Sequence, residues 1–466
     1  MTVRASEALI VGTGMAYLAL LGWSVGNLSF DIWGALVVIP IYGLASIVIL
    51  HRMFSGPLSP VAKILSWGLA IKFFGAAARY WVGFDAYGGA IDANRYHYYA
   101  IHRVSDVWDG TESFGALVPT GIGTEFLEDF TALVYAFTGG SKLAGFMTFA
   151  MMAYWGVAFM MKAAAIAIPG LMARRYAWFL VVFPSLVYWP SSIGKEAPMM
   201  LGLGVASYGA ARLFNTRRSI TGLFPIVLGL GFAALIRPHI AAIWMAAIMV
   251  SLVVGVFGRR QPATHSTKAR SRLGMFLLLA PAVIAFSITA GVTIRYLEPD
   301  SGDGVETSSI TQILDETTRR TVQAGSSFSP PSLGNPITWP YAAVRTLTRP
   351  LPIEARGIAQ LFTAAEVTAL LALYALSWRR VVSAGRLVIS NPYVAYAVSA
   401  FMLSGLAYSS FANLGVLARQ KSLVMPMLLL IPCLPIVARR SRDDPKTLPM
   451  SERHASETQH VQTASQ

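Results

Sequence analysis

The segment Ala90-Ile-Asp-Ala-Asn-Arg-Tyr-His-Tyr-Tyr-Ala-Ile-His-Arg brings Asp92, Arg95, His97, His102 and Arg103 together in one short stretch. A carboxylate beside an imidazole can serve as a general base, a metal ligand or a partner for sugar hydroxyls. The H-x4-H spacing matches no strong metal signature, so a divalent metal is an open option and no cofactor is fixed. The plainer account is a belt of Tyr and His at a membrane surface. A second stretch, Tyr188-Trp-Pro-Ser-Ser-Ile-Gly-Lys-Glu-Ala, has Pro184 and Pro190 to end one helix and Ser191 or Ser192 to cap the next. Lys195 and Glu196 then fall at a helix start, where unpaired N–H groups already favour an anion. Glu196 could equally be a first-turn acid that only stabilises the helix dipole.

Three more stretches add cations. Leu235-Ile-Arg-Pro-His-Ile sets Arg237 and His239 at a hairpin with barely a loop, between two apolar runs. An arginine near hydrocarbon is costly unless it snorkels or has a partner or ligand. Arg345, Arg349, Glu354 and Arg356 cluster before another apolar run, and Arg419 and Lys421 follow Asn413. Arginine matches phosphate oxygens through two parallel hydrogen bonds, so such a set suits a phosphate or pyrophosphate ligand.

The elements that must position these residues are apolar. Of 466 residues, 55% are hydrophobic and only 13% charged, with a mean hydropathy of +0.55. That excludes an ordinary soluble domain. Runs near the roughly 20 residues needed to cross a bilayer recur along the chain. About twelve are expected, near residues 8–25, 32–50, 64–84, 143–165, 176–190, 197–214, 221–236, 240–257, 273–294, 359–378, 388–411 and 423–437. The fold class is therefore an all-α polytopic membrane protein, with a single transmembrane domain over 1–438 and a polar, disordered tail over 439–466.

Threading these spans with the N-terminus inside collects more than half of the 37 Lys and Arg on the cytoplasmic side. Among them are Arg52, Arg174, Arg175, Arg212, Arg259, Arg260, Arg379, Arg380 and Arg439. Both termini are then cytoplasmic, and most carboxylates before the tail fall on the outer side, in two long loops near 85–142 and 295–356. This is the positive-inside pattern. It accounts for the formal charge of +14 without nucleic acid as a partner. Within the first loop, Phe126, Leu127, Phe130, Leu133, Val134 and Phe137 form an apolar stripe, predicting an interfacial amphipathic helix. In the second, Ile310, Ile313 and Leu314 with the pairs Asp315/Arg319 and Glu316/Arg320 predict a short surface helix. The single cysteine, Cys433, excludes a disulfide framework.

Asp92-Ala-Asn-Arg-Tyr-His97, Pro184 to Glu196, Arg237-Pro-His239, Arg349-Pro-Leu-Pro-Ile-Glu-Ala355 and Asn413 to Gln420, taken together, resemble bacterial O-antigen and exopolysaccharide polymerases and related lipid-linked-sugar glycosyltransferases. The resemblance implies transfer of a glycan from a polyprenyl (pyro)phosphate carrier to a saccharide acceptor, outside the bacterial plasma membrane. In that setting Arg237, Arg349 and Arg419 bind the lipid pyrophosphate, assisted by Lys195 and His97, and Asp92, His239 or Glu196 deprotonates the acceptor. The implied partners are membrane lipid, a polyprenyl-linked glycan and other polysaccharide-assembly proteins. A flippase for the same lipid-linked glycan, or a non-catalytic scaffold, fits the same residues.

Overall fold

The computed structural model describes residues 2–215, 219–258, 276–297, 335–355, 357–411 and 413–437. The chain divides into Met1–Pro435 and a short unit, Ile436–Gln466, of which only residues 436 and 437 are described. The surface helix expected around 310–320 and the polar tail lie outside the described residues.

Among the described residues every regular element is helical. In chain order these are α1 (Thr2–Asn27), α2 (Phe30–Met53), α3 (Ser59–Trp81), α4 (Asp92–Trp108), α5 (Thr124–Thr138), α6 (Lys142–Ala167), α7 (Ala173–Val182), α8 (Pro184–Tyr188) and α9 (Glu196–Asn215). There follow α10 (Leu223–Ile236), α11 (Pro238–Phe257), α12 (Leu279–Leu297), α13 (Trp339–Leu347), α14 (Ile358–Leu376), α15 (Trp378–Val388), α16 (Pro392–Tyr408) and α17 (Leu414–Leu430). Among the described residues five helices are long and apolar enough to cross a membrane: α2, α3 with its flanking turns, α6, α11 and α17. A sixth arises if α14 and α15, bent by 79° at Ser377, form one broken span. The exposed side chains of α2 include Ile41, Leu44 and Val48, the surface of a helix whose solvent is lipid. The architecture is that of a multi-pass α-helical membrane protein.

Three stretches differ from the spans and loops expected of them. Residues 176–190 form two helices, because Phe183 turns extended just before Pro184 and the ring cannot continue α7. A break inside the bundle frees backbone carbonyls, and the buried Lys72 of α3 meets two of them, donating to Leu186 O at 2.7 Å and Pro190 O at 3.3 Å. Ser185 of α8 donates to Glu366 of α14 in the same layer. Further on, residues 379–386, expected as a cytoplasmic loop, are helical in α15. Finally, α17 starts at Leu414 and not near 423, because the Asn413 side chain caps it by accepting from Gly415 N at 2.8 Å and Val416 N at 3.2 Å. Arg419 and Lys421 are thereby carried into the bundle on a helix, where a loop was expected.

The segment near 85–142 also packs more closely than an interfacial helix would. α5 forms as expected, but Phe126, Leu127, Glu128, Asp129 and Val134 are all buried. Phe126 and Phe130 stack on one another at 5.9 Å and both meet Phe232 of α10 edge-on. Only Phe137 of the apolar stripe stays largely exposed, at 78%.

At the centre α9 lies between α6 and α10, and glycines set those distances. A Cβ on Gly204 would stand 2.1 Å from Gly156 O, and one on Gly229 would stand 2.3 Å from Gly202 O. Such contacts hold apolar helices together where burial from water cannot. Gly204→Ala is expected to destabilise the bundle by about 1–3 kcal/mol, the usual cost of overpacking, as a lower denaturation midpoint of the detergent-purified protein. Gly231→Ala, where the space is open, should leave the midpoint unchanged.

Candidate functional site

The site is built where four breaks in helical structure meet. α9 begins at Glu196 after the turn that follows Pro190, and Lys195 sits immediately before it. Between α10 and α11, Arg237 is extended at φ −148° and ψ 91° because Pro238 follows. A proline at 238 supplies no N–H to the end of α10, and there Leu235 O accepts instead from Gly123 N at 2.7 Å. That bond ties the hairpin to the start of α5. The N-terminal turn of α4 brings Asp92, and the second turn of α17 brings Arg419.

The charges form a continuous chain. Arg237 Nη2 donates to Glu196 Oε1 at 3.3 Å, Arg419 Nη2 to Glu196 Oε2 at 3.1 Å, and Arg419 Nη1 to Asp92 Oδ2 at 2.8 Å. Lys195 Nζ donates to Thr124 Oγ1 at 2.8 Å. Asp92, Thr124, Lys195, Arg237 and Arg419 border a cavity of about 280 Å³ together with Arg95, Tyr96, Val416 and Gln420, and Glu196 is buried against the two arginines. The volume far exceeds the roughly 10–15 Å³ that admits one water. Arg95 is already neutralised by Glu128 at 2.8 Å. Lys195, Arg237 and Arg419 then face Asp92 and Glu196, so the cavity keeps an excess of positive charge.

The carboxylates differ in freedom. Glu196 is 3% exposed in its side chain and clamped by two arginines, whereas Asp92 is 60% exposed and held by one. Burial, and then the adjacent Arg237 charge, lower the Lys195 pKa from 10.5 to about 8. Lys195 is thus still largely protonated at neutral pH and loses its proton as pH rises through about 8. Three polar atoms at or beside the cavity, Arg237 Nη1, His239 Nδ1 and Gln420 Oε1, are buried without a hydrogen-bond partner. Each such group costs about 1–3 kcal/mol while unsatisfied, and bound water or a polar ligand is the usual remedy.

Of the residues singled out from sequence, Asp92, Lys195, Glu196, Arg237 and Arg419 converge, with His239 beside Arg237 on α11. Two do not. Arg349 pairs with Glu354 of its own segment, Nη2 to Oε1 at 2.8 Å and Nε to Oε2 at 3.1 Å, and does not border the cavity. His97 turns to the opposite side of α4, with Nδ1 2.7 Å from Tyr135 Oη. Burial, helped by the Lys142 charge, lowers its pKa to about 4 and keeps it neutral. Arg95 and Tyr96 reach the cavity because they lie three and four residues after Asp92, on the same helical face. Thr124 and Gln420 carry no comparable signal in sequence. Among the described residues no group of three or more His, Cys, Asp or Glu side chains is placed to hold a metal ion. In comparison with known proteins, no family model, curated protein or solved structure matches the chain.

Proposed function

We propose that the chain is a membrane glycosyltransferase of the polysaccharide-polymerase type. It moves a glycan from a polyprenyl (pyro)phosphate carrier to a saccharide acceptor on the outer face of a bacterial plasma membrane. Its expected topology has about twelve spans with both termini cytoplasmic, the 85–142 and 295–356 segments outside. The observation that carries the reading is the cationic cavity in which Lys195, Arg237 and Arg419 meet one exposed carboxylate, Asp92. Arginine and lysine there would hold the carrier phosphates, and their charge would stabilise the leaving pyrophosphate as the C1–O bond breaks. A phosphate seated on Arg419 would compete with Asp92 for that guanidinium. Released, the Asp92 carboxylate would take the proton of the acceptor hydroxyl as its oxygen bonds C1. Glu196 is already committed to two arginines and suits the role of a fixed counter-ion.

The test is anion binding to the purified protein in detergent. Inorganic pyrophosphate should bind at neutral pH and raise the denaturation midpoint. With sulfate, whose charge is constant above neutrality, affinity should fall about 10-fold as pH rises through 8 and Lys195 loses its proton; the arginines stay charged throughout. An absence of binding would remove the anion site, and binding with no pH dependence near 8 would remove Lys195 from it.

A second reading, a flippase for the same lipid-linked glycan, is favoured by the 79° bend between α14 and α15 and by buried Glu366 and Ser185 beside the α7–α8 break, since transporters often use broken helices at their substrate site. Glycan analysis of a deletion strain separates the two. Lost chain length with intact outward lipid-linked units supports the polymerase, and trapped inward units support the flippase.

A further inference from the structure

The anion cavity does not end at Asp92 and Arg95. A groove of about 500 Å³ runs along the exposed side of α4, lined by Tyr98, Tyr99, His102, Arg103, Asp106 and Glu128, and it shares Arg95 with the cavity. A depression of about 520 Å³ at the turn before α4 shares Asp92, Arg95 and Tyr98. Both volumes fall in the roughly 300–1,000 Å³ range of ligand sites. Asp92, Arg95, Tyr99, His102 and Asp106 recur every three or four residues. They mark a stripe of about 21 Å at 1.5 Å per residue.

The groove differs in chemistry from the cavity. Arg95 is paired with Glu128 and Arg103 with Asp129, and Asp106 adds a further carboxylate to the lining, so the groove has no cationic excess to draw an anion. Guanidinium groups, carboxylates, an imidazole and phenols supply donors and acceptors side by side, as a ligand rich in hydroxyl groups requires, since each hydroxyl both gives and receives. Several of these side chains are already fixed: Arg95 on Glu128 at 2.8 Å, Arg103 on Ala116 O at 2.9 Å and Tyr99 on Asp129 at 3.1 Å. Tyr98 is 67% exposed, and its ring is set edge-on against His102, with centroids 4.4 Å apart. Its open face is an electron-rich platform for the C–H face of a sugar ring.

We infer that the α4 groove is a saccharide subsite, holding an uncharged polyhydroxylated chain along Tyr98, His102 and Asp106 with one end at Asp92. The inference rests on the proposed transferase reading for what the chain is doing beside the anion cavity. The class of ligand follows from the groove itself.

The full-length protein in nanodiscs is tested against an array of uncharged soluble oligosaccharides of differing sugars and linkages, with inorganic pyrophosphate binding measured in parallel. The wild type should retain at least one oligosaccharide. Tyr98→Ala and Asp106→Ala should each weaken that binding about 10-fold, and Tyr98→Phe, which keeps the ring, should stay within about twofold. Pyrophosphate affinity should be unchanged in all three. Failure of the wild type to hold any oligosaccharide on the array, or wild-type binding by Tyr98→Ala, overturns the subsite. In the latter case Tyr98 is an interfacial anchor for headgroups. Loss of pyrophosphate binding with oligosaccharide binding intact would instead overturn the transferase reading and leave the groove standing.

Discussion

Glu196→Ala is expected to destabilise the protein by about 3–5 kcal/mol, the usual cost of breaking a buried ion pair by removing one partner. Both carboxylate oxygens are in use, one by Arg237 and one by Arg419, and the side chain is 3% exposed. Truncation leaves the largely buried Arg237 with no counter-ion and Arg419 with Asp92 alone, and it also removes an acid from the first turn of α9. Glu196→Gln, which keeps the shape and one acceptor, should lose less. Glu196→Ala combined with Arg419→Ala should lose less than the sum of the two, because both changes break the same ion pair. Denaturant titration of the wild type, the three single variants and the double variant in one detergent measures this. A Glu196→Ala protein within about 1 kcal/mol of wild type would mean that the arginines do not depend on the carboxylate.

The same geometry explains which parts of the site were legible in sequence. Helices announce themselves through apolar runs, and Pro184, Pro190 and Pro238 announce where those runs break. Lys195, Glu196 and Arg237 could therefore be placed at helix ends before any packing was known. Arg419 was legible as a cation but not in its setting, because the Asn413 cap starts α17 nine residues before the apolar run begins. Arg349 does not join the cavity, for a local reason. Glu354, five residues on, supplies both oxygens of a bidentate pair, and a cation with a carboxylate neighbour so near in sequence is readily satisfied at home. His97 shows the limit of reading a helix without its partners. It lies one residue from Tyr96, yet that step of about 100° around α4 turns it from the cavity to Tyr135. Glu128 and Asp129 lie off the apolar stripe of α5. They are buried because Arg95, Tyr99 and Arg103 of α4 come to meet them, and no pattern within α5 reveals that.

Arg237→Lys is the substitution that should separate binding from folding most sharply. One terminal nitrogen of Arg237 is spent on Glu196, while the other, Nη1, is buried with no partner beside a cavity with a cationic excess. The planar fork of a guanidinium lets the two nitrogens serve different oxygens at once, one to the resident carboxylate and one to an incoming phosphate. A lysine can keep the pair with Glu196, so the protein should insert and fold at normal abundance. Its single ammonium cannot also present a fixed second donor. Losing one charge-assisted hydrogen bond, about 1.5–3 kcal/mol, lowers affinity for pyrophosphate about 10- to 150-fold and should cut polymer yield in cells at least as far. Arg237→Ala should show the same binding loss and also destabilise, because Glu196 then keeps only Arg419. The measurements are pyrophosphate affinity, polymer yield and membrane-fraction abundance for both variants. Were the lysine protein to bind and polymerise like wild type, Arg237 would be a buried structural cation whose free nitrogen never meets a phosphate.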